Sequence, residues 1–287
     1  MKYRPEIDGL RGIAVIAVFL FHLFPHCIPG GFLGVDIFFV ISGFLITSIV
    51  KNQYQEKRFT FKDFWLHRIN RLFPPMAFTI FLTLFTGIFL LFPSELKNLG
   101  SQSLAVLLLI ANIKMWQTTS YWDPSSDDIP LLHTWSLAVE EQFYITFIFI
   151  FIALLKFLPK RINIVFFILS AISFLIATIN SASSNPASFY LLPARVWELL
   201  SGCILALHLN TFKPKWKCLS PYFISLSIIA LLASCLFFTR ESISSISLIW
   251  VITNTIIFIY FSAHNVETTK SIMTIKPLVF TVKLVNS

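Results

Sequence analysis

Two ionisable residues, Arg11 and His22, stand eleven positions apart in the first apolar stretch, DGLRGIAVIAVFLFHLFPH. At about 100° per residue, eleven steps return to within ~20° of the same direction, three helical turns and ~16 Å further on. Val15 and Val18 fall between them on that face. An imidazole with an unperturbed pKa near ~6.5 suits a general base. A guanidinium suits a site where negative charge develops. Such groups are costly in a membrane helix and normally face a polar interior. The plainer readings are an interfacial anchor for Arg11 and an interhelical hydrogen bond for His22. His22 is expected to sit deep in the apolar run, which makes it the harder of the two to explain that way.

Other segments add chemistry. GGFLGVDIFFVISGFLIT opens on Asp36, which could complement a helix dipole or orient an imidazole. Its Gly34, Ser42 and Gly43 permit close helix contact. FWLHRINRLFPP sets Arg68 and Arg71 three apart on one helical face, just before Pro74 and Pro75, which can open a helix. Paired guanidiniums fit a phosphate, and equally fit ordinary positive charge at a membrane surface. LLHTWSLAVEEQFY crowds His133, Glu140 and Glu141 at the entry to another apolar run, with Thr134 or Ser136 able to cap it. LLPARVWELLSG holds Arg195 and Glu198, an i, i+3 pair that needs no substrate to make sense as a buried ion pair. The cysteines Cys27, Cys203, Cys218 and Cys235 have no metal-binding spacing, and His22, His26 and His133 argue for no metal either.

The elements that must hold these groups are membrane helices. Of 287 residues, 56% are hydrophobic and 13% charged, against about 25% charged in soluble domains. A water-soluble fold could not hide that much apolar surface. The apolar runs lack strand alternation, which excludes a barrel. The spacing predicts spans over 11–27, 32–50, 73–92, 101–116, 137–158, 162–180, 192–209, 222–239 and 245–263. The fold class is therefore all-α: a polytopic transmembrane bundle of about eight or nine spans. Lys+Arg 22 against Asp+Glu 14 gives a net +8, but the positives sit between apolar runs, which argues against nucleic acid. The basic N-terminus, residues 51–71, Lys160 with Arg161, Lys213 to Lys217 and the tail Lys270, Lys276 and Lys283 read as cytoplasmic; the acidic loop of Asp123, Asp127 and Asp128 reads as external. Nine full crossings violate that pattern, so 101–116, which contains Asn112 and Lys114, is expected to be re-entrant or to merge with a neighbour.

Together these segments resemble the membrane-bound acyltransferase-3 family, which includes bacterial O-acetyltransferases of polysaccharides and peptidoglycan. The resemblance covers nearly the whole chain and rests on five motifs in family order. It implies about ten helices in the bacterial inner membrane, with the N-terminus cytoplasmic. It implies transfer of an acyl group, usually acetyl, from acetyl-CoA or another acyl-CoA to a hydroxyl of a cell-surface glycan such as lipopolysaccharide. It assigns catalysis to Arg11 and His22, with Asp36 in support, and the donor to Arg68 and Arg71. His133, Glu140, Glu141, Arg195 and Glu198 are expected to support the substrate site.

The bilayer, the glycan and the acyl-CoA are the expected partners. Residues 276–284 resemble the approach to a further aromatic helix of the family, so the single acyltransferase domain of 1–287 is expected to be C-terminally incomplete. A transporter or flippase of a polar lipid-linked substrate, and an inactive remnant of the acyltransferase, are the rival readings. The absence of an internal repeat weighs against the transporter.

Overall fold

The computed structural model describes residues 4–118, 129–182, 185–209, 211, 219–239 and 245–265. The acidic loop of Asp123 to Asp128, the lysines at 213–217 and the segment 276–284 lie outside the described residues. The described residues form eleven α-helices and no strand: α1 Pro5–Leu23, α2 Gly34–Gln55, α3 Phe61–Leu90, α4 Pro93–Leu107, α5 Ala111–Thr118, α6 Thr134–Phe157, α7 Ile162–Ala182, α8 Ala187–Tyr190, α9 Leu192–His208, α10 Ser220–Phe237 and α11 Ser245–His264. Short 3-10 turns, Gly31–Leu33 and Pro159–Arg161, lead into α2 and α7.

Among the described residues, seven helical segments are long and apolar enough to cross a membrane: Gly31–Gln55, Phe61–Leu90, Thr134–Phe157, Pro159–Ser181, Ala187–His208, Ser220–Phe237 and Ser247–His264. The chain is thus an all-α bundle of membrane-spanning helices. Helix α1, at 19 residues, is long enough but carries Glu6, Asp8 and Arg11 in its first two turns. Three expected spans need correction. Helix α1 starts at Pro5 and stops at Leu23, because Phe24 precedes Pro25 and such a residue is pushed out of the α region. Helix α3 starts at Phe61, twelve residues before the expected 73. Thr60 caps it, its Oγ1 accepting from Asp63 N at 3.1 Å. Pro74 and Pro75 therefore lie inside a 30-residue helix rather than opening one. They deprive the carbonyls of Asn70 and Arg71 of their helical donors, and both residues are exposed.

The third correction concerns 101–116, which is a broken helix. Helix α4 ends in a Schellman turn: Leu109 N–H donates to Val106 O at 3.0 Å and Ile110 N–H to Ala105 O at 2.9 Å. Helix α5 restarts at Ala111. Leu109 takes the left-handed position at φ 57°, where glycine is the usual residue. A side chain there costs about 1–2 kcal/mol, partly offset in the unfolded chain. Leu109→Gly is therefore expected to raise stability by up to about 1 kcal/mol, read as a higher midpoint of thermal unfolding in detergent.

The helices fall into two compact units. The first holds the described residues of 4–52, 163–171 and those from 197 onward. Here α2 and α9 touch backbone to backbone: a Cβ on Gly43 would collide with Leu199 O, and one on Gly202 with Val40 O. The Cys203 thiol donates to Gly43 O at 3.4 Å. Cβ atoms on Gly31 and Gly34 would likewise strike the Ala17 and Ala14 carbonyls of α1. Small residues thus let α1, α2 and α9 close up where side-chain volume would hold them apart. Phe223 of α10 stacks on Phe261 of α11 with centroids 4.5 Å apart.

The second unit holds Gln53–Ile162 and Ile172–Val196. Its apolar core joins Ile80 of α3, Leu99 and Val106 of α4, Ala111 of α5, Leu131, and Ala138 of α6. Phe61 of α3 stacks on Phe149 of α6 at 5.1 Å. Much of α3 points away from the protein, with Phe78, Phe81, Phe85 and Phe89 exposed, the face expected of a helix against lipid.

Candidate active site

The first unit carries Arg11, His22, Asp36 and Glu198; the second carries Arg68, Arg71, His133, Glu140, Glu141 and Arg195.

In the first unit, Arg11 is half-buried in the second turn of α1, and its Nε is buried without an acceptor among the described residues. His22 is in the last turn of the same helix and is exposed. The expectation that it sits deep is corrected by the helix stop at Leu23. Its Nδ1 lies 2.8 Å from Val18 O. A carbonyl only accepts, so Nδ1 carries the hydrogen and Nε2 of the neutral ring keeps its lone pair. His67 and His264 make the same bond to the carbonyl four residues earlier, so the bond fixes a tautomer without by itself marking a site. The edge of the Phe21 and His22 ring pair, centroids 5.3 Å apart, further holds the imidazole. Asp36 is buried in the first turn of α2, two residues from Gly34, which contacts α1. Glu198 of α9 is fully buried.

In the second unit, α6 gathers the polar groups. Arg68 of α3 donates from Nε to both Glu141 oxygens, at 2.7 and 2.9 Å, and from Nη2 to Glu141 Oε1. Its Nη2 also reaches Glu140 Oε1 at 3.5 Å. The guanidinium lies over the Tyr144 ring at 3.8 Å, and the Tyr144 hydroxyl donates to Glu140. Glu141 is 2% exposed, so this is a buried, charge-assisted ion pair. The two arginines read as a matched pair therefore differ: Arg68 is held by carboxylates, while Arg71, one turn on, is exposed.

The other α6 residues are also engaged. Gln142 donates to Asn112 Oδ1 at 2.8 Å and to Leu109 O at 2.8 Å, and Asn112 donates back to Gln142 Oε1 at 3.2 Å and to Tyr190 O at 3.1 Å. The amide pair ties the break between α4 and α5 to α6. Asn112 was visible only as a polar residue in an apolar run; its partner thirty residues away was not. Arg195 is buried with its guanidinium 5.7 Å from the Trp135 ring and 5.4 Å from that of Phe189, a pairing between segments that neither segment shows by itself. His133 is exposed at the N-cap of α6, which has no side-chain cap. The hydroxyls expected to cap α6 instead donate to carbonyls, Thr134 to Leu131 O at 2.6 Å and Ser136 to His133 O at 3.3 Å. They could not also accept from the helix in the expected way because the chain enters α6 through a tight turn, with His133 itself in the α region.

A family model described as acyltransferase domain, type 3, matches residues 4–282. Among curated proteins, the chain is 38% identical to the peptidoglycan O-acetyltransferase OatA of Listeria monocytogenes over 212 residues, 71% of this chain and 34% of that protein. It is 37% identical to the O-acetyltransferase OatA of Staphylococcus aureus over 238 residues, 80% of this chain and 39% of that protein. The alignments thus span little more than a third of the length of these relatives. No solved structure matches. With seven membrane-length helices, the Arg11 and His22 helix, and a family match over nearly its whole length, the chain belongs to the acyltransferase-3 family.

Proposed function

We propose that this chain is the membrane part of an O-acetyltransferase that moves an acetyl group from a cytoplasmic acyl-CoA to a hydroxyl of a cell-envelope glycan. The observation that carries the reading is the family match over residues 4–282. On this chain the His22 ring, with Nδ1–H tied to Val18 O at 2.8 Å, leaves Nε2 as its basic atom on the helix that also bears Arg11. Nε2 takes the proton of the acceptor hydroxyl as its oxygen attacks the thioester carbonyl. The C–S bond breaks and CoA leaves as the thiolate. A two-step variant, with the acyl group first on Nε2, uses the same lone pair. Arg11 stabilises the oxyanion or the donor. Asp36, buried beside the Gly34 contact, sets where α2 meets α1.

For the donor, the exposed Arg71 supplies a phosphate contact, and Arg68, neutralised by Glu141, holds α3 against α6. The acceptor is drawn from the relatives. One is named for peptidoglycan, which turns the expectation away from lipopolysaccharide. The compartment is the cytoplasmic membrane of a bacterium with the N-terminus inside, on the strength of Arg4, Arg11 and the basic residues from Lys51 to Arg71.

Expressed whole in a strain deleted for its own peptidoglycan O-acetyltransferase, the chain should restore ester-linked acetate to purified peptidoglycan, released by mild base. Acetate at the empty-vector level on every envelope glycan would sink the proposal.

A further inference from the structure

Arg4 stands at the N-cap of α1, seven residues before Arg11 and eighteen before His22. Seven steps of 100° fall ~20° short of two turns, and eighteen close on five, so the Cα atoms of all three residues lie along one side of the helix. Arg4 and Arg11 lie ~10 Å apart along the axis. Arg4 is not a solvated anchor: its side chain is 15% exposed. Its guanidinium lies 5.1 Å from the Phe44 ring of α2. Glu6, itself 4% exposed, accepts from Arg4 Nε at 2.7 Å. Among the described residues, Arg4 Nη2 is buried with no acceptor, and so is Arg11 Nε.

A buried guanidinium nitrogen without an acceptor forfeits a charge-assisted hydrogen bond. Two such nitrogens two turns apart on one helix ask for an anion with several oxygens. Glu6 offsets one of the two charges, and Asp8, half-buried a turn before Arg11, lies ~60° off the shared face. The same end of this unit carries a third cation, Lys51 of α2, whose Nζ donates to Leu207 O in the last turn of α9 at 3.3 Å.

We propose that Arg4 and Arg11 form a phosphate-binding subsite on α1. Its ligand is a phosphate group, from the CoA donor or from a phospholipid headgroup. The donor assignment rests on the acetyltransferase reading; the subsite itself does not. In the donor case the phosphates of CoA sit towards Arg4, and the thioester is carried along the shared face towards His22.

The test is CoA binding to the full chain in nanodiscs of phosphatidylcholine alone, with Arg4→Gln and Arg4→Lys beside the wild type, and displacement by phosphatidylglycerol in a second set. Loss of a charged, forked contact should weaken CoA binding about tenfold in Arg4→Gln and less in Arg4→Lys. Arg4→Gln also strips the buried Glu6 of its cation, so Arg4→Gln/Glu6→Gln, which leaves no unpaired carboxylate, should show the same loss of about tenfold with a recovered thermal midpoint. That result places the donor phosphate at Arg4. Unchanged CoA affinity with a lost response to phosphatidylglycerol assigns the subsite to a headgroup. No change in either overturns the proposal. Should Arg4→Gln not fold, Arg4→Lys keeps the charge and decides alone on the same readings. Wild type that binds no CoA removes the donor reading, and the phosphatidylglycerol arm then decides the subsite by itself.

Discussion

Replacing His22 with alanine is expected to lower the turnover of acetyl transfer by about 10²–10⁴-fold, the usual contribution of a positioned general base. The loss should fall on kcat, because the role assigned to the ring is proton transfer and not donor binding. CoA affinity should stay within about twofold of wild type. The fold should be indifferent: His22 is exposed in the last turn of α1, and its one bond goes to its own helix. Substitutions at such positions usually stay within ~0.5 kcal/mol. His22→Gln keeps a polar group near Nε2 but has no basic lone pair, so it should be as inactive as alanine. An active glutamine variant would remove proton transfer from the role of this residue.

The second large effect is on stability. Arg68→Ala should destabilise the second unit by about 3–5 kcal/mol, since it leaves the buried Glu141 carboxylate without its bidentate partner. The Tyr144 ring also loses the guanidinium lying over it. The measurement is the thermal midpoint in detergent, with Arg68→Met/Glu141→Leu as the control. Removing both charges together should recover most of the loss, because a well-packed apolar pair replaces an ion pair at little cost. If the single and double variants are equally unstable, the ion pair is not what holds α3 to α6. The same pair explains why charge reversal at Arg68 is a poor probe of donor binding. It would place three carboxylates together, whereas Arg71→Glu changes an exposed residue.

The helices themselves were legible, because a run of some twenty apolar residues has few other uses. Two of their ends were misread although local chemistry sets them. Pro25 stops α1, and Thr60 with Asp63 starts α3; reading Pro74 as a helix start put the wrong weight on a residue that a membrane helix tolerates inside it. The break at Leu109 was not legible, since the position that usually advertises itself with glycine is filled by leucine. The site divides in the same way. Periodicity put Arg11 and His22 on one face, a property of one helix. It could not give the depth of His22, which depends on where that helix stops. Nor could it find the partner of Arg68, seventy-three residues away on α6, or pair Asn112 with Gln142. Those contacts are decided by how separate helices pack, and each side chain carries only half of the information.

The most direct measurement follows a labelled acetyl group. The full chain is reconstituted in a bilayer with acetyl-CoA labelled in the acetyl carbonyl and a peptidoglycan acceptor, beside an equal amount of His22→Ala. The account predicts that label leaves the thioester and appears as an alkali-labile ester on the glycan with the wild type, and stays on CoA with the variant. Equal ester formation by the two proteins would contradict it, because the lone pair on Nε2 would then take no part in the transfer.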